Sequence, residues 1–324
     1  MLVYGSLLAS ISVALAWMIS MPGVSFSGAL PEADPREEAF QAELRVHVQK
    51  LAGDIGERNV PTFGALKAAA DYLERTLTDL GYTVHHHTYP VYDRICDNLD
   101  VDVVGGARRD QIVLVGAHYD SVTGAPGADD NASGSAAVLS LARVFAGKRP
   151  ARTIRFALFA NEEPPYFWNP EMGSLVYAKE ARARGDDIVA MLSLETLGYY
   201  AEGAGTQRYP FPMSLFYPDR GDFVGFVGNT SSRGLTREVV RSFRGGARFP
   251  SEGAALPGFI AGVGWSDQWS FWQVGYPGVM VTDTAPFRNP NYHKRTDRPE
   301  TLDYPRFARV TAGLERVIEA LANP

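Results

Sequence analysis

Seven side chains of this sequence are suited to metal-assisted hydrolysis: His118 and Asp120 in HYDS, Asp130 in the Gly-rich GADDNASG, the adjacent Glu162 and Glu163 in NEE, Glu195 in SLET and His293 in NYH. Imidazole nitrogens and carboxylate oxygens are the donors of a catalytic zinc site, which keeps one position open for water or substrate. Two histidines and three acids suffice for two ions. Co-catalytic metals lie about 3.5–4 Å apart, so one carboxylate must bridge them, and Asp130 is the candidate. Asp120, two residues beyond His118, is placed to accept the other ring N–H of that histidine and fix its tautomer. Neighbouring side chains at a strand end diverge, so one of Glu162 and Glu163 can bind metal while the other faces the substrate cavity. A free carboxylate there can take the proton of a metal-activated water as it attacks a carbonyl. Cys96 is the only cysteine, which excludes an intrachain disulfide and a cysteine-based zinc site.

The elements that must position these residues alternate. QIVLVGA is a continuous apolar run of the kind that forms a central strand, and it ends in HYDS. A Gly-rich loop and the helical pattern SAAVLSLARVFAG follow, then the strand TIRFALFA ending in NEE. A further helix near SLVYAKEARARG leads to the strand IVAMLSLET, and GVMVTDT precedes NPNYH. Four strands thus deliver His118 with Asp120, Glu162 with Glu163, Glu195, and the loop bearing His293, at the edge where open α/β sheets bind ligands. Upstream, Phe40, Leu44, Val48 and Leu51 mark one helix ending near Gly53, and Leu66 to Leu80 a second. The triplet His85, His86 and His87 lies on an alternating strand, where successive side chains point to opposite faces and cannot converge on one ion. It is expected to be a solvated strand.

Of the 324 residues, 45% are hydrophobic and 21% charged, the balance of a globular protein with a sizeable core. A formal net charge of −6 and no dense Lys/Arg stripe argue against a nucleic-acid partner and leave small molecules or peptides. Residues 1–31 carry no charge, and LVYGSLLASISVALAWMIS is apolar and long enough to cross a bilayer as an anchor, unless it is a cleaved signal segment. Both readings export the chain, leaving residues 36–324 as a single catalytic domain.

HYDS, GADDNASG, FALFANEE, SLETLGYY and NYHKRTD, in this order, resemble the motifs of metallopeptidase family twenty-eight, the secreted zinc aminopeptidases, over roughly residues 40 to 320. The resemblance implies a three-layer α/β/α domain around a central mixed, mainly parallel sheet, and a peptide substrate. It implies two Zn2+ ions, one on His118, Asp130 and Glu195, the other on Asp130, Glu163 and His293, with Glu162 as general base. Asp129 is then left as a loop residue, Tyr292 matches an oxyanion-stabilising Tyr, and the Asp130–Asn131 peptide is expected to be cis.

Three features depart from the family pattern. Glu195 stands where Asp is commoner, Gln268 where His is commoner, and PPYFWNPEM lengthens the segment between Glu163 and Gly173. Phe167, Trp168, Trp265 and Phe271 are candidates for a specificity wall. The alternatives are a glutaminyl cyclase, which resembles this family in fold but works with one zinc, and a noncatalytic peptidase-like ectodomain, which would normally have lost ligands.

Overall fold

A computed structural model describes residues 13–324. Eight strands form one sheet: β1 (His85–Val91), β2 (Arg94–Val103), β3 (Arg108–His118), β4 (Arg152–Phe159), β5 (Asp187–Glu195), β6 (Val224–Asn229), β7 (Ser251–Leu256) and β8 (Gly278–Thr282). Their spatial order is β1-β2-β4-β3-β5-β8-β6-β7. The central strands β4, β3, β5 and β8 run parallel, as does the β6–β7 pair, whereas β1–β2, β2–β4 and β6–β8 are antiparallel. The sheet is therefore mixed and mainly parallel, as expected.

Both faces are covered, which explains the near-continuous apolar runs of the central strands. On β3, Val113, Val115 and Ala117 enter the larger core, while Ile112 and Leu114 face a second one. The larger core is filled from α1 (Pro35–Val48), α2 (Phe63–Asp79), α3 (Gly134–Phe145), α5 (Arg233–Gly246) and the C-terminal α7 (Tyr304–Ala322). The second is closed by Tyr177, Ala178 and Ala181 of α4 (Gly173–Arg184) and Phe271 of α6 (Gln268–Gln273). The result is a three-layer α/β/α arrangement. Asp34 caps α1 with a reciprocal bond pair to Glu37, and Pro35 occupies its first turn. This helix runs on into a π-helical turn, Gln49–Ile55, consistent with the expected stop near Gly53.

The histidine triplet lies on a largely exposed stretch of β1, as expected, although each ring also meets an acid. His85 and His87, two apart and so on one strand face, both contact the buried Asp100, at 2.8 and 2.9 Å, while His86 turns the other way to Asp97. None of them joins a group of metal-donor geometry among the described residues.

The proposed bilayer-crossing stretch falls largely on residues 1–12, outside the described residues. Residues 13–19 are helical, and no helix among the described residues is long and apolar enough to cross a membrane. The segment that follows straps the edge strand β7. Ser25 Oγ accepts the Ser251 N–H, and Arg244 donates to the carbonyls of Pro22 and Gly23. The first residue of the edge strand has its spare N–H paired in this way.

Arg58 holds the loop that carries Asp130. Fully buried, it donates to the carbonyls of Gly56, Tyr119, Pro126 and Gly127. Replacing it strands several buried carbonyls at once, and each unpaired group carries its full desolvation cost. Arg58→Met is expected to lose at least about 3 kcal/mol of stability. Denaturant unfolding checks this through a lower midpoint at unchanged slope; an unaltered midpoint would deny Arg58 its role.

Candidate metal centre

Apart from Asp130, which lies in the turn Ala128–Ser133 after β3, the donors sit at or downstream of the C-terminal end of a parallel strand. His118 is the last residue of β3 and Glu195 the last of β5. Glu162 and Glu163 follow the end of β4 closely, and His293 comes after β8 and a short helical turn at Ala285–Arg288. Four adjacent strands thus aim their C-terminal ends at one point, the edge at which open α/β sheets take ligands.

The donors converge as two groups, His118 with Asp130 and Glu195, and Asp130 with Glu163 and His293. His118 Nε2 lies 3.2 Å from Glu195 Oε2 and 3.4 Å from Asp130 Oδ1. His293 Nε2 lies 3.1 Å from Asp130 Oδ2 and 3.2 Å from Glu163 Oε2. Asp130 therefore shows one oxygen to each imidazole. Donors on a tetrahedral zinc with bonds of about 2.0–2.1 Å stand roughly 3.3 Å apart, which matches these separations. Buried atoms that point into the two groups, His118 Nε2, Asp130 Oδ1, Glu163 Oε1 and His293 Nε2, have no hydrogen-bond partner among the described residues. Buried polar groups are rarely left so, and a cation at each group would satisfy them. The residues fit two divalent ions sharing Asp130. The longer arm of Glu195 is accommodated: its Oε2 also accepts the Ser266 hydroxyl at 2.6 Å.

The backbone around the donors is unusual. Asn161, Thr196 and His293 have φ of 59°, 51° and 58°, in the left-handed region that non-glycine residues seldom adopt, and Thr196 is β-branched besides. Such conformations persist where surrounding contacts over-determine them, typically at functional sites. The Asp130–Asn131 peptide is cis, as the family resemblance implied.

Several supports escaped the sequence reading. The carboxylate of Asp297 accepts the backbone N–H groups of Asp129 and Asp130, at 2.9 and 3.2 Å. Asn131 donates to Leu194 O and accepts the Gly134 and Thr196 N–H groups, stitching the Asp130 loop to the end of β5. Asp129 is more than a loop residue: buried, it accepts from Gly198 N and Asn289 Nδ2 and so joins three site-forming segments. Asp120 lies 3.4 Å from His118 Nδ1, and it also accepts the N–H groups of Glu162 and Glu163 at 3.1 and 3.2 Å. It thus orients the two glutamates as well as the histidine. All of these residues lie within the quoted motifs, Asp297 in NYHKRTD, Asp129 and Asn131 in GADDNASG and Asp120 in HYDS, but only for Asp120 did the sequence show any part of the role.

Tyr292 stacks its ring on that of His293, centroids 3.9 Å apart, and its hydroxyl bonds to no protein group among the described residues. Of the four aromatic wall candidates, Trp265 alone lines the apolar pocket beside Glu195. Phe271 is fully buried in the second core, where it packs on Phe159, Tyr177 and Tyr276. Phe167 and Trp168 stack on each other, and Trp168 reaches Trp269 and donates to Gly264 O. The long segment between Glu163 and Gly173 is thus a clasp onto the neighbouring loop.

Crowded carboxylates in a dry site bind protons tightly. Burial, followed by Glu195 and Glu163, raises the Glu162 carboxyl well above the usual range. Burial and then Asp130 push Glu163 up to about 8. Burial alone would lower both imidazoles, but Glu195 and Glu162 raise His118 well above its ordinary value, and Asp130 and Glu163 bring His293 to about 10. Burial would raise Asp130 too, yet its two histidines hold it below the normal carboxylate range.

Comparison with known proteins agrees with this geometry. Residues 98–318 match Peptidase family M28. The chain is similar to the Escherichia coli protein YfbL, 35% identical over 295 residues, covering 88% of this chain and 89% of the relative. It also resembles leucine aminopeptidase 1 of Coccidioides posadasii, 24% identical over 334 residues, with 89% and 80% covered. Its fold matches that of BSAP, a zinc aminopeptidase from Bacillus subtilis, with a TM-score of 0.69 at 15% identity, covering 87% of this chain and 95% of that one. With the ordered motifs, the paired donor groups and the sheet topology in hand, the chain belongs to peptidase family M28.

Proposed function

We propose that the chain is a di-zinc aminopeptidase that removes N-terminal residues from peptides. One zinc is held by His118, Asp130 and Glu195, the other by Asp130, Glu163 and His293. The observation that carries this reading is the two-sided carboxylate of Asp130, with Oδ1 at 3.4 Å from His118 Nε2 and Oδ2 at 3.1 Å from His293 Nε2. Two complete donor groups favour it over the one-zinc cyclase reading. Retention of every donor favours it over a noncatalytic ectodomain.

When bound there, zinc supplies Lewis acidity, polarising a carbonyl and making a water molecule acidic near neutral pH. Glu162 takes the proton of the attacking water and passes it to the leaving amine. It stands beside the donors without belonging to either group, free to exchange that proton. The Tyr292 hydroxyl steadies the oxygen of the scissile carbonyl as charge develops on it. Asp120 keeps His118 and both glutamates in place. Burial first, and then the neighbouring acids, raise these carboxyls, and metal ions held there would offset most of the acids' charge.

Residues 36–324 form a single catalytic domain in this reading. It works outside the cytoplasm, delivered by the charge-free stretch over residues 1–31 as a membrane anchor or a cleaved leader. Protease accessibility in intact cells distinguishes this from a cytoplasmic location.

Metal analysis of the purified protein, with a panel of aminoacyl chromogenic substrates before and after chelation, tests the reading. Cleavage that survives chelation contradicts it, and release of pyroglutamate from N-terminal Gln peptides without leucyl cleavage supports the cyclase instead. Glu162→Gln is expected to retain zinc while turnover falls by about 10²-fold or more; retained turnover would assign the proton to another group. Zinc and protons also compete for the same donors. The pKa values of Glu163 and His293 are both shifted upward, so at neutral pH each holds a proton that metal binding must displace. Zinc affinity should therefore rise as pH increases from about 6 to about 8. Calorimetry in two buffers of different ionisation heat counts the protons released; an affinity independent of pH contradicts the donor set.

A further inference from the structure

The strand register connects the catalytic edge to a second carboxylate. Glu195 pairs with Thr282, Thr282 with Gly225, and Gly225 with Glu252, so these four residues form one row across β5, β8, β6 and β7. Laterally paired residues point to the same face of a sheet. Three strand spacings of about 4.8 Å put the Glu195 and Glu252 backbones roughly 14 Å apart. Between them stand a small Thr282 and a Gly225 with no side chain, which leaves a trough in the sheet surface. A cavity of about 110 Å3 occupies this trough, several times the space one water needs, with Glu195 and Glu252 both among its lining residues.

The walls are otherwise apolar, contributed by Met213, Phe223, Val227, Leu256, Ile260 and Met280. The polar side chains among them are mostly spoken for. Tyr209 donates to Pro218 O and Tyr217 to Gly253 O, Thr284 pairs with Gln207, and Thr282 accepts the Thr284 N–H. Glu252 accepts no hydrogen bond among the described residues. Its nearest cation is Arg244, 3.9 Å away, whose guanidinium donates instead to Ser251 and to the carbonyls of Pro22 and Gly23. Burial raises the Glu252 carboxyl, Arg244 lowers it, and Asp222 raises it again. Glu252 is part-exposed and shares its one cationic neighbour with those other acceptors, which leaves its carboxylate able to take a second cation.

We propose that this trough receives the side chain of the substrate's N-terminal residue and that Glu252 selects a basic one, lysine or arginine, whose apolar stem lies along Gly225 and whose cationic tip pairs with Glu252. The proposal rests on the aminopeptidase reading above. Long basic side chains suit such a site because their methylene stems bury readily while the charged head needs a partner. Trp265, at the pocket's rim, offers a ring face for the stem.

The test uses the purified, zinc-loaded full chain and pairs turnover with binding. Lysyl and norleucyl p-nitroanilides, nearly the same stem with and without charge, are compared by kcat/KM, and lysinamide and norleucinamide by calorimetry. Lysine should be favoured about tenfold or more in both assays, and Glu252→Gln and Glu252→Leu should each erase that ratio. A ratio is insensitive to the fraction of folded variant. Norleucyl cleavage without a lysine preference, or a ratio unchanged in both variants, overturns the role of Glu252 while sparing the aminopeptidase reading. A Glu252-dependent preference for binding lysinamide without hydrolysis of either substrate supports the pocket and overturns the reaction. Neither binding nor cleavage overturns both.

Discussion

Like charges forced together away from water set the terms for this molecule. Asp130, Glu163, Glu195 and Glu162 are all buried at one rim of the sheet, with His118 and His293 among them. Burial and mutual repulsion make Glu162, Glu163 and Glu195 hold protons above their ordinary range, while the two imidazoles beside Asp130 hold it below. Two divalent cations sharing Asp130 would offset that repulsion and would satisfy donor atoms left without a partner among the described residues. A fold with so costly a cluster must hold it rigidly, and much of the surrounding hydrogen bonding does so.

That rigidity is built from buried polar groups acting on backbone. Arg58 ties down the carbonyls of the loop approaching Asp130, and Asp297 ties down the amides within it. Asp120 fixes the exit from β4, and Asn131 fixes the loop against β5. Left-handed backbone at Asn161, Thr196 and His293 is tolerated because these bonds leave little freedom to relax. The same sheet then supplies a second feature at no extra scaffolding. A row that begins with Glu195 ends with Glu252, and the two small residues between them open a trough.

The central strands and all seven candidate residues were legible because buried parallel strands read as apolar runs and their C-terminal ends carry the chemistry. Ordered motifs then supplied the family and, with it, the three-layer architecture. What stayed hidden was of two kinds. The region from residue 200 to 260, including β6, α5 and β7, has short strands with Gly225, Gly228 and Gly253 and no donor at their ends, so periodicity gives little signal there. Arg58, Ser266 and Glu252 act through contacts set only by tertiary register, which no local pattern encodes, and Asn131 lies inside GADDNASG without its contacts showing there. Phe271 shows the converse error: an aromatic residue near the site in sequence belongs to the core beneath it.

The central claim is that one carboxylate joins two metals at the sheet edge. Anomalous scattering at the zinc absorption edge, from crystals of the zinc-loaded protein, tests it most directly. The account predicts two peaks about 3.5–4 Å apart, one on either side of the Asp130 carboxylate; a single peak, or two peaks that do not share Asp130, would contradict it.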